Sequence, residues 1–265
     1  MKRRIGLLIV SAVVLLVTAV PVSAVTDGTP DGDGHPYVGL MVADDADGNP
    51  LWRCTGTLIS PTVFLTAGHC TEAPAARATI WFAEDVDAEP DYPFDGDVDG
   101  KTYTHPDYNP DAFFLYDLGV VELDSPVLLD EYGELPELGV LDDIKGKDKK
   151  GALVAVGYGL QEINPNRLTA DRIRLTAPLD LLNTKGVFGV PKGTSIKVSG
   201  SGVGGDSSGS GGTCFGDSGG PQFLADSNVV AAVTSFGVNG NCAGTGGGYR
   251  VDQADDLDWL ATFLP

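Results

Sequence analysis

The residues best able to do chemistry stand in three short stretches. The first is Thr213-Cys214-Phe215-Gly216-Asp217-Ser218-Gly219-Gly220-Pro221. A serine between glycines, after an acid and four residues beyond a cysteine, predicts an exposed hydroxyl on a tight turn. Glycine permits backbone conformations and close approaches that a Cβ forbids. Gly-Asp-Ser-Gly-Gly alone also describes an ordinary loop, so the other two stretches decide. They are Leu65-Thr66-Ala67-Gly68-His69-Cys70 and Tyr116-Asp117-Leu118-Gly119-Val120-Val121. Histidine, aspartate, serine is one of the chain orders in which a nucleophilic triad occurs. A serine hydroxyl attacks poorly at neutral pH unless a base takes its proton. His69 is the candidate base, because it ends an apolar strand, whereas His35 and His105 lie in Pro- and Gly-rich contexts that read as surface. The imidazole needs a buried acceptor to hold one tautomer. Asp117, set before a strongly apolar strand, is a carboxylate whose burial demands such a partner.

The elements around these residues read as strands. Pro36–Val42, Leu51–Ile59, Val63–Leu65, Ala78–Phe82, Gly119–Leu123, Ala152–Val156 and Val229–Ser235 are short apolar runs separated by turn residues. That rhythm predicts an all-β barrel or sandwich. The one helical pattern is Asp252–Phe263, with acids crowding its first turn where the helix dipole favours them. Leu257, Leu260 and Ala261 share a face that should pack on a barrel. Glu84–Gly100 and Ser199–Gly212 read as loops, the second as a wall of the binding site.

Composition limits the function classes. The chain has 265 residues, enough for one large all-β domain or two small ones. Met1-Lys2-Arg3-Arg4, the apolar run Ile5–Val20 and Pro21-Val22-Ser23-Ala24 predict a secretory signal peptide over residues 1–24. An uncleaved anchor is the alternative. The expected product is a secreted, extracellular protein, free of the membrane after cleavage. The chain carries −20, and loss of Lys2, Arg3 and Arg4 with the leader takes it to −23. So acidic a protein is not expected to bind nucleic acid or an anionic membrane, which need a basic face. Four cysteines in an exported chain predict two disulfides. No Cys-x-x-Cys pair and only three histidines argue against a metal at these positions.

Taken together, the three motifs resemble those of the chymotrypsin-type (trypsin-like) serine endopeptidases, in that family's order, and the resemblance spans Val25–Pro265. It implies two six-stranded antiparallel β-barrels, over residues 25–148 and 149–265, with the active site in the cleft and a C-terminal helix. It implies that Ser218 attacks the scissile carbonyl, His69 acts as base then acid, and Asp117 orients the imidazole. The amides of Gly216 and Ser218 would form the oxyanion hole. Ser235 matches the serine that hydrogen-bonds the buried aspartate. Substrate would meet Gly212, Thr213, Phe215, Ser235, Phe236, Gly237 and Gly247. The resemblance pairs Cys54 with Cys70 and Cys214 with Cys242, and sets Leu153 and Leu224 where many members carry another bridge.

Two departures from the family pattern matter. Gly212 stands where trypsin-like enzymes carry an aspartate for Arg or Lys, so an open, neutral pocket preferring apolar P1 side chains is expected. Val25-Thr26-Asp27-Gly28 follows the leader directly, so signal cleavage itself would create the activating terminus, with the Val25 ammonium pairing to Asp217. No obligatory cofactor is expected. Asp95–Gly100 opens like a calcium loop but meets Pro106 where an EF-hand needs glutamate. The family's Ca²⁺ loop corresponds to Glu84–Asp91, where a solvated acidic surface is the preferred reading. The expected partner is a protein or peptide substrate, met by a monomer. A catalytically silent binding protein on the same barrels is the alternative, set back by the presence of His69, Asp117, Gly216 and Ser218. An esterase elbow would need a helix after the serine, and no helical pattern follows.

Overall fold

The computed structural model describes residues 25–26, 28–164, 167–185, 193–199 and 211–265. The predicted leader, and most of the glycine- and serine-rich stretch before Gly212, lie outside them. Sixteen strands are described. They are β1 (Thr29–Pro30), β2 (Val38–Asp44), β3 (Pro50–Ser60), β4 (Val63–Thr66), β5 (Arg77–Trp81), β6 (Val98–Thr104), β7 (Gly119–Leu123) and β8 (Leu153–Gly157). Then follow β9 (Glu162–Asn164), β10 (Arg167–Thr169), β11 (Leu175–Leu179), β12 (Leu181–Asn183), β13 (Ser195–Ser199), β14 (Pro221–Leu224), β15 (Val230–Gly237) and β16 (Thr245–Arg250). Three short helices are α1 (Gly68–Thr71), α2 (Val140–Asp143) and α3 (Ala254–Ala261).

The first six-stranded unit is a closed barrel in the order β2-β3-β4-β7-β6-β5. Alternate residues of a strand face alternate sides, and here Leu40, Leu58, Phe64, Leu65, Ile80, Val120 and Val121 are fully enclosed. The β2–β3 hairpin closes over the predicted turn cluster, where the Asp45 carboxylate accepts from the amides of Asp47 and Asn49, each at 2.9 Å.

The second unit is one antiparallel sheet in the order β1-β11-β8-β14-β15-β16-β13-β12. Its ends β11 and β12 are separated only by Asp180, so they are two halves of one segment and the sheet curls back on itself. Counted by segment, with β1 as an added edge, it has the six strands expected. Leu153 and Leu224 face each other in the β8–β14 register, so an apolar pair does stand at that position.

The chain ends cross between the two units. Thr29–Pro30 pairs with β11, so the first described residues belong by hydrogen bonding to the second sheet. Conversely α3, shorter at both ends than the Asp252–Phe263 pattern, packs on the first barrel: Phe263 meets Tyr103 at 5.3 Å and Trp259 meets His105 at 4.9 Å. Between the units, the Tyr158 hydroxyl donates to the Ala83 carbonyl at 2.8 Å, and Arg174 Nη1 donates to Phe82 O at 2.9 Å and Val38 O at 3.2 Å. These contacts fix the cleft in which the serine turn lies.

The structure corrects three local readings. His105 is buried, stacked on Tyr116 at 4.9 Å and an 11° tilt, because the aromatic ring beside it shields a Pro-flanked loop. His35 is also not a free surface residue: its Nδ1 lies 2.6 Å from Asp31 Oδ1 and its ring stacks on Phe223. The loop reading of Glu84–Gly100 ends early, since β6 begins at Val98. Within that loop Asp97 accepts from the Phe82 amide at 2.6 Å, and Asp87 pairs with Arg172.

Candidate active site

The serine turn is held from inside by its own acid. The Asp217 amide donates to Cys214 O at 3.0 Å, closing the turn. Asp217 then folds its carboxylate beneath the loop, where Oδ1 accepts from the Gly159 amide and Oδ2 from the Cys214 amide, both at 2.8 Å. Burial pushes this carboxyl up to about 7, against the opposing pull of the two amides and the Arg53 charge. Gly216 at φ +101° and Gly219 at φ +76° take conformations that favour glycine. A Cβ on Gly219 would lie 2.0 Å from Thr66 Oγ1 and 2.6 Å from the Ala67 amide nitrogen, so only glycine lets the turn reach the first barrel.

Thr55, on β3, ties the turn down from the other side. Its amide donates to Ser218 O at 2.8 Å and its hydroxyl donates to Gly216 O at 2.8 Å. With both carbonyls occupied, the N–H groups of Gly216 and Ser218 meet no acceptor among the described residues. Two undirected donors, two positions apart and beside a serine hydroxyl, are what an oxyanion requires. No motif marks Thr55, so the sequence reading missed it; only its place after Cys54 sets it near the site.

The histidine and the aspartate meet across the first barrel. His69 sits in the single turn α1, joined to β3 through the Cys54–Cys70 disulfide. Its Nδ1 lies 3.1 and 3.0 Å from the two Asp117 carboxylate oxygens, and its amide donates to Asp117 Oδ1 at 2.9 Å. Ser235, reaching over from β15, donates its hydroxyl to Asp117 Oδ2 at 2.5 Å. Asp117 is fully enclosed, and its neighbour Tyr116 turns the chain at φ +52°. Burial pulls the imidazole's ionisation down, but Asp117's charge and hydrogen bond, with a smaller push from Glu72, lift it above the ordinary histidine value. A carboxylate at Nδ1 fixes that nitrogen as the protonated one and leaves Nε2 free to accept.

His69 and Ser218 open on one cavity of about 560 Å³. Thr213, Phe215, Ser235, Phe236 and Gly237 line it, together with Glu72, Tyr108 and Phe113, which sequence reasoning did not single out. Gly212 and Gly247 do not line it. Gly212 is covered by Thr26, donating its amide to Thr26 O at 3.0 Å and accepting the Thr26 hydroxyl at 2.9 Å. Gly247 stands opposite Phe236 in the β15–β16 register, and that ring rests so closely on it that a Cβ would lie 2.2 Å from Phe236 Cζ. The Cys214–Cys242 disulfide forms as expected and closes the wall beside the serine. Val25 is buried among Leu153, Leu175 and Ile196, next to the Thr26–Gly212 bridge. Among the described residues the one convergence of metal-type ligands is Cys54, His69 and Cys70. There the two sulfurs are bonded to each other and the imidazole is held by Asp117.

A closed barrel and a second antiparallel sheet that curls back on itself, with these residues between them, make up the double-barrel architecture of the chymotrypsin fold. A family model described as Trypsin matches residues 30–259, and the chain belongs to that family of serine endopeptidases. It is 28% identical to a brachyurin of Leptuca pugilator over 86% of this chain and 92% of that one. It is 30% identical to a trypsin of Saccharopolyspora erythraea over 77% and 82%. Among solved structures, an HL collagenase superposes with a TM-score of 0.64 at 21% identity, covering 86% of this chain and 92% of that one. Human heparin binding protein gives 0.64 at 18%, covering 91% and 97%. These two likenesses concern the fold.

Proposed function

We propose that this protease cleaves peptide bonds through Ser218, with His69 as general base and acid and Asp117 as the group that orients it. The observation that carries the reading is the unbroken chain of contacts from Ser235 Oγ to Asp117 to His69 Nδ1, ending at the cavity on which Ser218 also opens. In the free protein no hydrogen bond joins the His69 and Ser218 side chains among the described contacts, and such bonds commonly tighten only when substrate is bound. As Ser218 Oγ attacks the scissile carbonyl, its proton passes to His69 Nε2, and the imidazolium is stabilised by the charge of Asp117. The carbonyl oxygen, now an oxyanion, takes the unpaired amides of Gly216 and Ser218. Collapse expels the amine with the proton from His69, leaving an acyl group on Ser218 that water removes by the same steps in reverse order.

The P1 side chain enters between Thr213–Phe215 and Ser235–Gly237. With no acid at position 212 and the Phe236 ring over Gly247, that space suits a neutral, apolar side chain rather than Arg or Lys. The leader sends the protein out of the cell, and its removal frees the Val25 ammonium for Asp217. Support for this comes from the burial of Val25 and from a carboxyl that burial has raised and that forms no ion pair among the described residues.

The test is labelling of the secreted protein with a fluorophosphonate, read by intact mass. One adduct per chain on the parent and none on Ser218→Ala is expected, and the same spectrum should give a mature chain starting at Val25. Failure of the folded, disulfide-bonded parent to react would overturn the reading.

A further inference from the structure

The wall of the cavity beyond His69 differs in charge from the wall beside Ser218. Thr213, Phe215, Phe236, Gly237 and Val238 bring no charge to it, whereas Glu72 brings a carboxylate. Glu72 caps the C-terminal end of α1, three residues after His69, and its amide is spent on Gly68 O at 2.9 Å. Its side chain is half-buried and makes no ion pair with a lysine or arginine among the described residues. Beside it stands a second incompletely satisfied group: the Tyr108 hydroxyl is buried, lines the same wall, and completes no well-formed hydrogen bond. Burial raises that phenol's ionisation, and the charges of Asp117 and Glu72, with a loose approach of the Glu72 carboxylate, raise it further. A half-buried carboxylate without a cation in the cavity wall, beside a buried hydroxyl without a good acceptor, forms an incomplete polar site.

The position of this site along the substrate follows from Phe113. That ring lines the same cavity as Glu72 and meets Phe236 edge-on, with centroids 6.3 Å apart. Phe236 belongs to the β15 segment Ser235–Gly237 along which the acyl side of the substrate would lie. The space between the two walls therefore belongs to the residue just before P1. We propose that Glu72, with Tyr108, makes this P2 space a subsite for a lysine or arginine side chain, so that the enzyme prefers a neutral P1 preceded by a cationic P2. The cation's stem would lie on Phe113 and its charge would reach Glu72. The strongly acidic mature chain draws such substrates in from a distance as well.

This inference rests on the protease reading, and the experiment separates the two. Three peptides would be compared, identical except for lysine, norleucine or glutamate at P2, with one apolar P1 throughout. Cleavage of the norleucine peptide by the parent checks the protease reading by itself. For the subsite, kcat/KM for lysine over norleucine is expected to be about five- to tenfold at low salt, as for a half-screened ion pair. The preference should shrink in 1 M salt, where the Debye length falls to about 3 Å. Glu72→Gln should bring the ratio close to one, and Glu72→Lys should favour glutamate. Because the readout is a ratio within one variant, a general loss of rate leaves it interpretable. A second readout is the acid limb of kcat/KM on the norleucine peptide, which should move to lower pH in Glu72→Gln because Glu72 helps to hold the His69 proton. A parent ratio near one, or the same ratio in parent and Glu72→Gln, would overturn the proposal.

Discussion

The buried Asp217 carboxyl gives the most demanding test of how the site is assembled. Burial raises it from 3.8 to about 7 while Val25 is still in peptide linkage. An acid whose folded pKa is raised favours the fold below its unfolded pKa and loses that contribution as pH rises towards the folded value. Here the window runs from about pH 4 to about pH 7. A shift of about three units corresponds to about 4 kcal/mol, lost across that window and still missing at neutral pH. A free Val25 ammonium would offset the loss by pairing with the carboxylate. The perturbation is therefore a Gly-Ser extension before Val25, compared with the chain that starts at Val25. Denaturant unfolding of each form at steps from pH 4 to pH 8 should show the extended form falling behind by several kcal/mol. Asp217→Asn in the extended form should abolish that fall. Asp256, also buried and raised to about 8, contributes to both forms and cancels in the difference. Fluorophosphonate labelling should be slower in the extended form, since an unpaired carboxylate draws water under the oxyanion turn. Parallel pH curves for the two termini would refute the pairing.

Other expectations follow from single contacts. Ser235→Ala removes a hydroxyl donor from an enclosed carboxylate and should lower stability by about 1.5–3 kcal/mol, together with a fall in kcat; thermal and kinetic assays read both. Asp117→Asn takes away the charge that lifts the His69 pKa, leaving burial to lower it. Its residual activity should have an acid limb at lower pH than the parent. Near neutrality kcat should fall by about 10⁴, the loss that the wrong imidazole tautomer causes in a chymotrypsin-type triad. Replacing Cys214 and Cys242 together by serine frees a loop with a sequence separation of 28. The chain-entropy relation puts the cost at about 3.5 kcal/mol, measurable by urea unfolding. Gly159→Ala would set a Cβ 2.3 Å from Asp217 Oδ2, so it should slow labelling of Ser218 more than it lowers the melting temperature.

Most of the first barrel was legible because its strands are apolar runs, and β3, β4, β5 and β7 fall within a residue or two of the expected bounds; β6, Val-Asp-Gly-Lys-Thr-Tyr-Thr, carries no such run and was not read. The second half was harder to read. β16 is Thr-Gly-Gly-Gly-Tyr-Arg, which carries turn composition in a fully paired strand. Its glycines are there for space, not for turning: a Cβ on Gly248 would meet Gln222 Oε1 at 2.6 Å, and one on Gly247 would meet Phe236. Propensity describes a residue alone, whereas these positions are chosen by what crosses them.

The same distinction separates what was found in the site from what was missed. His69, Asp117 and Ser218 stand in motifs because each needs a particular local backbone: a helical turn, a strand start, a glycine-flanked bend. Thr55, Glu72 and Tyr108 need only be near, and nearness to a residue 161 positions away, as for Thr55 and Gly216, leaves no local mark. The covering of Gly247 has the same origin, since nothing local to this glycine shows that the ring of Phe236 rests on it. In the reading proposed above, specificity in this cleft rests on such non-local neighbours. Gly247→Ala should therefore act through Phe236: the ring must swing away from β16, and the P1 and P2 preferences should change together. If a peptide library showed the P1 preference altered and P2 untouched, the two walls would be independent, and the placement of the P2 space between Phe113 and Phe236 would have to be abandoned.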